Sequence, residues 1–380
     1  MGGSAPCRDL RLTSSDARQS ASIDPTGLEL CLWKVPMTPR ITIHSTAPDG
    51  SNEARLAKTI AASLVPEFQV QTDCRTFRTL ARLLRSDLLI VHSPLGFSIC
   101  AMLLAKLLGR PIIAFVWDLY PVRINGRRYD GRLRRKMADC IERFALWMSD
   151  HLIVQTEDFL SSPSLARAQV IPFWYVPSDL EPRKPVNFAG QQHLQFAFAG
   201  QINETRGLSE ALLFIDKILN KRAILNIYSR DPFEPPDNLK RVEVRHCGYV
   251  TKEILAGSLM QHDVGLISLH PGFEGPAFPS KSLDYLAAGL PVVYFGPPLA
   301  HFSLLLETTG CGVTASASTQ LNFDVTMPSE TSYHAASALF FGRVRADPSR
   351  LKSHFSDVLG VQIDTSSAVS ESASSKTKLE

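Results

Sequence analysis

Several recognisable features are missing from this sequence of 380 residues, and each absence excludes a class of protein. The seven cysteines are scattered singly without a C-x-x-C pair, which argues against a disulfide framework and against a zinc site. No uninterrupted apolar run reaches the length of about 18 residues needed to cross a bilayer. The first residues also lack the charged-then-apolar layout of a signal peptide. We therefore expect a protein of the reducing cytoplasm without a transmembrane helix.

A dinucleotide-binding dehydrogenase is disfavoured, because no G-x-G-x-x-G motif follows the first predicted strand. The net charge of +3 is too small to indicate nucleic acid as a partner. What the composition does provide is 44% hydrophobic residues, which is enough for two domains with cores of their own.

Strand-like and helix-like segments alternate along most of the chain. Residues 40–64 predict a strand, a loop and a helix; the order recurs up to 173 and resumes from 194 to 295. Such alternation predicts an α/β fold with parallel sheets covered by helices. The predicted parts are an N-terminal extension, partly disordered (1–38), a Rossmann-like domain (39–177), a linker (178–190), a second Rossmann-like domain (191–346), a C-terminal helix (347–362) and a disordered tail (363–380).

The stretch over 273–295 predicts a loop, a short helix and a buried strand. Ser280 is placed to cap the free amides at the start of the helix, Lys281 follows it, and Asp284 lies one turn further on. A helix N-terminus with serine and lysine beside a loop suits an anion, most often phosphate, and Asp284 could accept hydrogen bonds from sugar hydroxyls. The alternative is a capped amphipathic helix whose lysine and aspartate only meet solvent.

In letters, the run from Pro279 is P-S-K-x-x-D-Y-L-A-A-G-x-P-V. It resembles the nucleotide-sugar site of retaining GT-B glycosyltransferases, particularly the bacterial glycosyl transferases group 1, or family 4. The resemblance covers about residues 40–360 and is strongest over 264–295. It implies the GT-B fold, in which two Rossmann-like βα domains face a central cleft. The first domain would bind the acceptor, and the second would bind the nucleotide sugar.

The segment F-A-G-Q-I-N-E-T-R-G-L, which begins at Phe198, resembles the family's loop in which a glycine and two basic residues meet the donor's diphosphate. The resemblance gives Gly200 the close approach to phosphate and makes Arg206 a cation on the leaving group. Gln201 occupies the other basic position, so the pair is incomplete, and we infer that Lys281 supplies the missing charge. The alternative for Arg206 is an ordinary surface-loop arginine.

Further donor contacts are implied by the same resemblance. Asp284 matches the second of two glutamates that the family spaces eight positions apart, and it is expected to bind the ribose. Pro276 fills the first position, so Glu274 is assigned to the donor sugar instead. Ser280 is expected to contact the donor beside Lys281. The strand-end segment whose backbone would meet the nucleotide base is formed by Gly248, Tyr249 and Val250.

On the first domain, Asp118 ends a predicted strand and resembles the aspartate of the family's H-D-L-x-P segment, which faces the reaction centre. It is assigned to the acceptor hydroxyl or the donor sugar and counted as catalytic with Arg206 and Lys281; a capping aspartate is the alternative. The aromatic run over 173–175 suits hinge packing better than an acceptor pocket. The acceptor loop is expected at Asp49, Gly50, Ser51 and Asn52.

Two groups of basic residues lie in the first domain. One crowds the segment 123–136, which holds a single acid, and the other recurs at helical spacing at Arg75, Arg78, Arg82 and Arg85. Either group is compatible with a plain solvated face. Together they suit docking on anionic lipid, and a polyprenyl-diphosphate acceptor would use the same charge. Nucleic acid is disfavoured as a partner, because no aromatic platform accompanies the charge.

The chain has no D-x-D triplet, with which metal-dependent glycosyltransferases hold a divalent ion. The resemblance therefore implies a metal-independent hexosyltransferase without a cofactor, whose substrate is a UDP- or GDP-linked sugar. We expect transfer with retention to a hydroxyl of a lipid-linked or saccharide acceptor, in bacterial surface polysaccharide synthesis. The protein would be cytoplasmic or peripheral on the inner face of the cell membrane. Two alternatives stay open, a nucleotide-sugar 2-epimerase of the same fold and a nucleotide-sugar-binding protein without catalysis.

Overall fold

The computed structural model describes residues 38–45, 52–73, 76–93, 95–119, 123–125, 127–128, 132–174, 192–315 and 330–361. The predicted linker, the predicted tail and the predicted N-terminal extension up to residue 37 lie outside these residues, as do Asp49, Gly50 and Ser51 of the expected acceptor loop. Both sheets described below belong to one compact unit that begins at Thr38.

Strands and helices alternate, as the sequence pattern predicts. The strands are β1 (Arg40–His44), β2 (Gln69–Asp73), β3 (Leu88–His92), β4 (Ile112–Val116), β5 (Arg123–Ile124), β6 (Arg127–Arg128), β7 (His151–Val154), β8 (Gln169–Val170), β9 (His193–Ala199), β10 (Arg222–Tyr228), β11 (Val242–His246), β12 (Val264–Ser268), β13 (Phe273–Glu274), β14 (Val292–Phe295) and β15 (Gly312–Ala315). The helices are α1 (Asn52–Leu64), α2 (Thr76–Leu83), α3 (Ile99–Leu107), α4 (Arg132–Met148), α5 (Leu208–Ile218), α6 (Lys252–Leu259), α7 (Lys281–Ala287), α8 (Ala300–Thr309), α9 (Glu330–Val344) and α10 (Pro348–Leu359).

The first sheet has six parallel strands in the order β2-β1-β3-β4-β7-β8. Strands β3 and β4 are buried along their whole length, because helices cover both faces of the sheet. Helices α2, α3 and α4 pack on the face that carries Leu89 and Val91, and we call them the α2–α3–α4 layer. Helices α1 and α10 pack on the opposite face, which carries Leu88 and Ile90.

The second sheet also has six parallel strands, in the order β11-β10-β9-β12-β14-β15. Gly265 in β12 lets helix α7 approach this sheet closely. A Cβ atom at that position would lie 2.4 Å from the ring of Tyr285 on α7. The tyrosine ring can therefore fill the space only above a glycine. The two parallel sheets with their helices confirm the predicted α/β architecture of GT-B type.

A small antiparallel sheet joins the two halves. Strands β5 and β6 form a hairpin in the first half, and β13 of the second half pairs with it at Phe273↔Ile124 and Glu274↔Arg123. An isolated bridge between Asp118 and Ala277 follows directly. The loop before α7 is therefore held by backbone hydrogen bonds to the first half of the chain.

Helix α10 returns to the first half after the second sheet is complete. Its Lys352 Nζ lies 2.7 Å from Glu67 Oε1, and its Phe355 ring packs 6.4 Å from Phe68 and 6.5 Å from Phe115 between centroids. Such burial of aromatic rings and of a paired charge fixes the last helix on the first sheet. Within the described residues, no helix combines the length and the apolar character needed to span a membrane.

Candidate functional site

A cavity of about 530 Å³ lies where strands of both sheets end. The first half lines it with residues that follow β4, and the second half lines it with the ends of β9 and β12 and with the loop before α7. Ligand crevices form at this edge of parallel sheets because the loops that leave the strands converge there. The predicted site residues that line the cavity are Asp118, Gly200, Gln201, Arg206, Glu274, Ser280 and Lys281.

The loop after β9 is shaped by two glycines and an asparagine. Gly200 has φ 154°, and a Cβ atom there would meet nothing within 4 Å, so the backbone is open to a ligand. Asn203 Oδ1 accepts hydrogen bonds from Thr205 N at 3.1 Å and Thr205 Oγ1 at 2.6 Å, which closes a 3₁₀ turn. Gly207 ends the turn at φ 54°, and a Cβ atom there would lie 2.5 Å from Cα of His270. These contacts hold the turn residue between them, Arg206, at the cavity wall.

Arg206 is half-buried, and it is coupled to groups from both halves of the chain. Burial lowers the pKa of its guanidinium, while the negative charge of Asp118 raises it. A guanidinium stays protonated through such a shift, because its ordinary pKa lies far above neutral. With little water around it, the cation attracts an incoming anion more strongly than a solvated arginine would.

The carboxylate of Asp284 is shared between two lysines. Its Oδ2 lies 3.0 Å from Lys281 Nζ, and its Oδ1 lies 3.4 Å from Lys252 Nζ. Of these three residues only Lys281 lines the cavity, and the Asp284 side chain is 8% exposed. The carboxylate thus orients Lys281 and offsets part of its charge, an ion pair that the sequence analysis did not anticipate.

Ser280 lines the cavity, but it does not cap helix α7 as predicted. Its φ of −58° and ψ of −18° are already helical, whereas a capping serine is extended. No helix amide donates to its side chain; Ser282 N donates to the carbonyl of Pro279 at 2.9 Å, and Leu283 N donates to that of Ser280 at 3.1 Å. The prediction of a serine cap is wrong because the backbone turn at the proline already uses these amides.

Tyr285 connects helix α7 to the strand that precedes the glycine loop. Its hydroxyl accepts a hydrogen bond from Ala199 N at 2.7 Å, and its side chain is 1% exposed. Burial raises the pKa of this phenol, so it is neutral at physiological pH. The hydrogen bond from Ala199 to Tyr285 ties α7 to the end of β9, so it holds Lys281 at the start of α7 in a fixed position relative to Gly200. Sequence analysis gave Tyr285 no role, since its partner lies far away in the chain.

Aromatic side chains dominate the wall that the first half contributes. Trp117 stacks on His92 with 4.6 Å between ring centroids, and Trp174 stacks on Phe278 at 5.4 Å. Both indoles line the cavity although they are 6% and 4% exposed. Trp174 therefore packs at the junction of the halves, as the favoured alternative predicts, and it also lines the cavity. Asp118 is the charged group on this wall.

Of four further predicted donor residues, one lines the cavity from a strand and three lie outside the cavity lining. Glu274 lines the cavity from strand β13, where its backbone pairs with the β5–β6 hairpin. Gly248, Tyr249 and Val250 follow the edge strand β11 and do not line the cavity. The ring of Tyr249 is covered by Arg230, whose guanidinium carbon lies 3.9 Å from the ring centroid.

The expected acceptor loop lies outside the described residues except for Asn52, the first residue of α1. Leu56, one turn further along α1, lines the cavity. The start of this helix therefore lies near the cavity, at the edge where the loop was predicted.

Ser268 is a cavity residue that the sequence analysis missed. It ends strand β12 and is 2% exposed, and its Oγ has no hydrogen-bond partner among the described residues. By contrast, Thr205 Oγ1, another hydroxyl of the lining, already donates to Asn203. A buried hydroxyl without a partner costs about 1–3 kcal/mol, which is an indication that a ligand completes it. An apolar strand pattern ending in serine gave no signal for this.

Comparison with known proteins gives a match in the first part of the chain. Residues 26–178 match the family model described as a glycosyl transferase 4-like domain. No curated protein sequence matches the chain significantly. Among solved structures, the chain is similar to the glycosyltransferase of kitacinnamycin, with 12% identity, a TM-score of 0.43, and coverage of 85% of this chain and 100% of the other.

Two further structures are similar at the same level. The glycosyltransferase SnogD from Streptomyces nogalater has 14% identity and a TM-score of 0.38 over 84% of this chain and 99% of the other. A UDP-glucosyltransferase from Polygonum tinctorium has 12% identity and a TM-score of 0.45 over 85% of this chain and 99% of the other. At these scores the fold assignment depends on the two parallel sheets of the chain itself.

The family match covers all six strands of the first sheet. The second sheet, on the other side of the cavity, has the same parallel architecture. The first half of the chain is accordingly similar to a glycosyl transferase 4-like domain, within an α/β fold of GT-B type.

Proposed function

We propose that the cavity binds a UDP- or GDP-linked sugar and that the protein transfers this sugar, with retention, to a hydroxyl of a lipid-linked or saccharide acceptor. The observation that carries the proposal is the convergence on one cavity of Arg206, Lys281 and the open backbone at Gly200, opposite Asp118. Two cations beside an unobstructed glycine suit a diphosphate, and a carboxylate across from them suits a hydroxyl-bearing ligand.

The departing diphosphate is the centre of the proposed chemistry. The bond between the anomeric carbon and the phosphate oxygen breaks, and its electron pair leaves with the diphosphate. Arg206 stabilises the developing negative charge with a planar fork of donors, and Lys281 adds a second positive charge. Both cations are held in place before the reaction, by the 3₁₀ turn and by Asp284, so little reorganisation is needed.

The acceptor oxygen attacks the anomeric carbon from the face that the diphosphate leaves, which preserves the configuration. Its proton passes to the departing diphosphate, so the protein needs no strong nucleophile of its own. Asp118 orients the acceptor hydroxyl by accepting a hydrogen bond. The indoles of Trp117 and Trp174 exclude water, which would otherwise hydrolyse the donor.

The remaining donor contacts keep their proposed roles along the edge of the second sheet. Glu274 and Ser280 contact the sugar and the phosphates from the cavity wall. The ribose lies near the ion pair of Lys281 with Asp284, and the base extends toward residues 248–250 after strand β11. Because the two cations take the place of a divalent ion, the proposed transfer needs neither a metal nor a cofactor, and a chelator should leave its rate unchanged.

The proposed setting is the synthesis of a bacterial surface polysaccharide. An acceptor linked to a lipid would be reached from the inner face of the cell membrane, along which the protein would lie peripherally. A saccharide acceptor in solution would need no such contact.

The test is incubation of the purified protein with UDP- and GDP-sugars, with and without a membrane lipid extract. We expect release of the nucleoside diphosphate that depends on the extract, and a product whose anomeric configuration by NMR matches the donor's. Isomerisation of the sugar without an acceptor would instead indicate a 2-epimerase. A shift of the melting temperature by UDP or GDP without turnover would indicate a binding protein and would contradict the proposal.

A further inference from the structure

The α2–α3–α4 layer turns an apolar surface toward solvent. Six large apolar side chains on α3, α4 and the turn before α3 are 39% to 84% exposed: Phe97, Leu107, Met137, Ile141, Phe144 and Trp147. We call this set the apolar face. Monomeric proteins rarely expose contiguous apolar patches without a partner. The face lies on the outer side of the first sheet's helices and shares no residue with the cavity.

The two ends of the apolar face are held together by polar contacts between helices. At one end the carboxylate of Glu142 on α4 accepts hydrogen bonds from the amides of Leu95 and Gly96, at 3.1 and 2.9 Å. Gly96 permits this approach, since a Cβ atom there would lie 3.0 Å from Ile141. At the other end an ion pair joins α3 to Asp150, just after α4, with 2.5 Å between Lys106 Nζ and Oδ1. The face is therefore preformed.

Cations accompany the apolar face along α4. The two cations Lys136 and Arg143 lie at positions i and i+7 and Trp147 lies at i+11, so the three form one exposed stripe. Arg143 also pairs with Asp139 at 3.3 Å, but its side chain stays 65% exposed. The Trp147 and Phe144 rings stack at 5.6 Å between centroids.

The first turns of α4 are basic as well. They carry four cations at 132–136 and no acid in the first turn. This placement opposes the helix dipole, which favours negative charge at an N-terminus. The positive charge at this end of the helix suits a partner with negative charge.

The charge also argues against a second copy of this chain as the partner. A symmetric dimer through the apolar face would bring the same cations of two α4 helices together, and like charges across an interface are unfavourable. An anionic bilayer complements both features at once, because its headgroups attract the cations and its acyl boundary accepts the apolar side chains.

We propose that the apolar face docks on an anionic lipid bilayer, with Leu107 and Trp147 inserted at the level of the headgroups. The donor cavity then lies close to that level. Arg143 and Leu146 of α4 line a second cavity of about 570 Å³, which shares Leu119 and residues 274–276 with the proposed donor cavity. Under the proposed function, a lipid-linked acceptor would reach the reaction centre through this second cavity.

The test is cosedimentation of the full-length protein with vesicles of phosphatidylglycerol and phosphatidylcholine, without any nucleotide sugar. The double variant Leu107→Ser/Trp147→Ser should lose about tenfold or more in its partition coefficient, since two largely exposed apolar side chains no longer insert. Lys136→Gln and Arg143→Gln should each lose about fivefold on anionic vesicles and nothing on neutral ones. The matched control Ile254→Ser/Leu304→Ser removes apolar side chains of 57% exposure from the second half and should bind like the wild type.

Each other outcome counts against the proposal. Equal losses in the test and control variants would show that general hydrophobicity decides the binding. No binding by the wild type would overturn docking while leaving the transfer assay of the proposed function untouched. A dimer in sedimentation equilibrium that Leu107→Ser/Trp147→Ser dissociates would assign the apolar face to a second copy instead. Melting temperatures equal to that of the wild type are required of every variant compared.

Discussion

The two walls of the proposed donor cavity come from sheets of the same architecture, yet they differ in chemistry. The second half contributes a half-buried arginine, a lysine in an ion pair and an open glycine loop, whereas the first half contributes two indoles and one carboxylate. A diphosphate needs localised positive charge, and a sugar near the bond being exchanged needs water excluded around it. The comparison shows that the residues at the strand ends, and not the sheets themselves, give each half its chemical character.

The outer surfaces differ in the same way. In the first half, exposed apolar side chains gather on the adjacent helices α3 and α4 beside a cationic stripe. In the second half they are single residues on separate helices, such as Leu213 on α5, Ile254 on α6 and Leu304 on α8. Single exposed apolar residues are ordinary on a protein surface and a cluster is not, so among the described residues the proposed membrane contact falls on the first half.

The largest expected effect tests whether the second half supplies the charge for the leaving group. Arg206→Ala should lower kcat/KM by roughly 10²–10³ in the nucleotide-release assay, because a preorganised cation is lost from the site of developing charge. Arg245→Ala, which removes an exposed arginine paired with Glu243 on the same sheet, is the control and should be near normal. Near-normal turnover of Arg206→Ala would contradict the proposal that the second half supplies the positive charge for the leaving group.

A smaller effect separates the two lysines that share Asp284. Lys281→Ala should lower kcat/KM by about tenfold or more, since this lysine lines the cavity. Lys252→Ala removes an equivalent partner of the same carboxylate from outside the cavity and should change the rate little. Equal losses in both variants would mean that Asp284 needs both lysines for structure and that neither acts on the donor.

A third variant asks whether the hydroxyl at the end of β12 meets the donor. Ser268→Ala should weaken binding of the nucleoside diphosphate by about tenfold, the loss of one hydrogen bond to a charged group. The melting temperature of the free protein should be unchanged or higher, because an unpaired buried hydroxyl is removed. Ser282→Ala deletes another buried hydroxyl without a partner among the described residues, outside the cavity lining, and should bind normally. A structural role of Ser268 would lower the melting temperature instead.

The smallest expected effect concerns the attachment of α10 to the first half. Burial and the neighbouring His151 lower the pKa of His354, which Asp357 partly offsets. The unfolded chain then binds the proton more readily than the folded one, so this residue's contribution to stability is lost as the pH falls from about 7 to about 5. His354→Leu should show a smaller drop in melting temperature over that range than the wild type. The exposed His193→Gln should keep the full drop; an unchanged drop in His354→Leu would contradict the assignment.

Most strands of the second half were predictable from sequence, but several elements near its end were not. Val264–Ser268 was predicted at its observed bounds, since a short apolar run between turn signals is characteristic of a buried parallel strand. Helix α9 was missed, because its apolar residues lie all round the helix and give no clear period. Strand β15 was missed because four residues are too few for a pattern. Helix α8 was not predicted either.

The sequence alone determined which residues are candidates for the proposed chemistry. A glycine followed by an arginine after one strand, and a lysine and an aspartate at the start of one helix, were identified by residue type and spacing. Only the tertiary structure decided how these groups act together. It brought Lys252 to the carboxylate of Asp284, placed Asp118 opposite Arg206, left Ser268 Oγ without a hydrogen-bond partner among the described residues and gathered the apolar face on α3 and α4. The physical reason is that burial and electrostatic coupling depend on distances between residues far apart in the chain, and no local pattern encodes those distances.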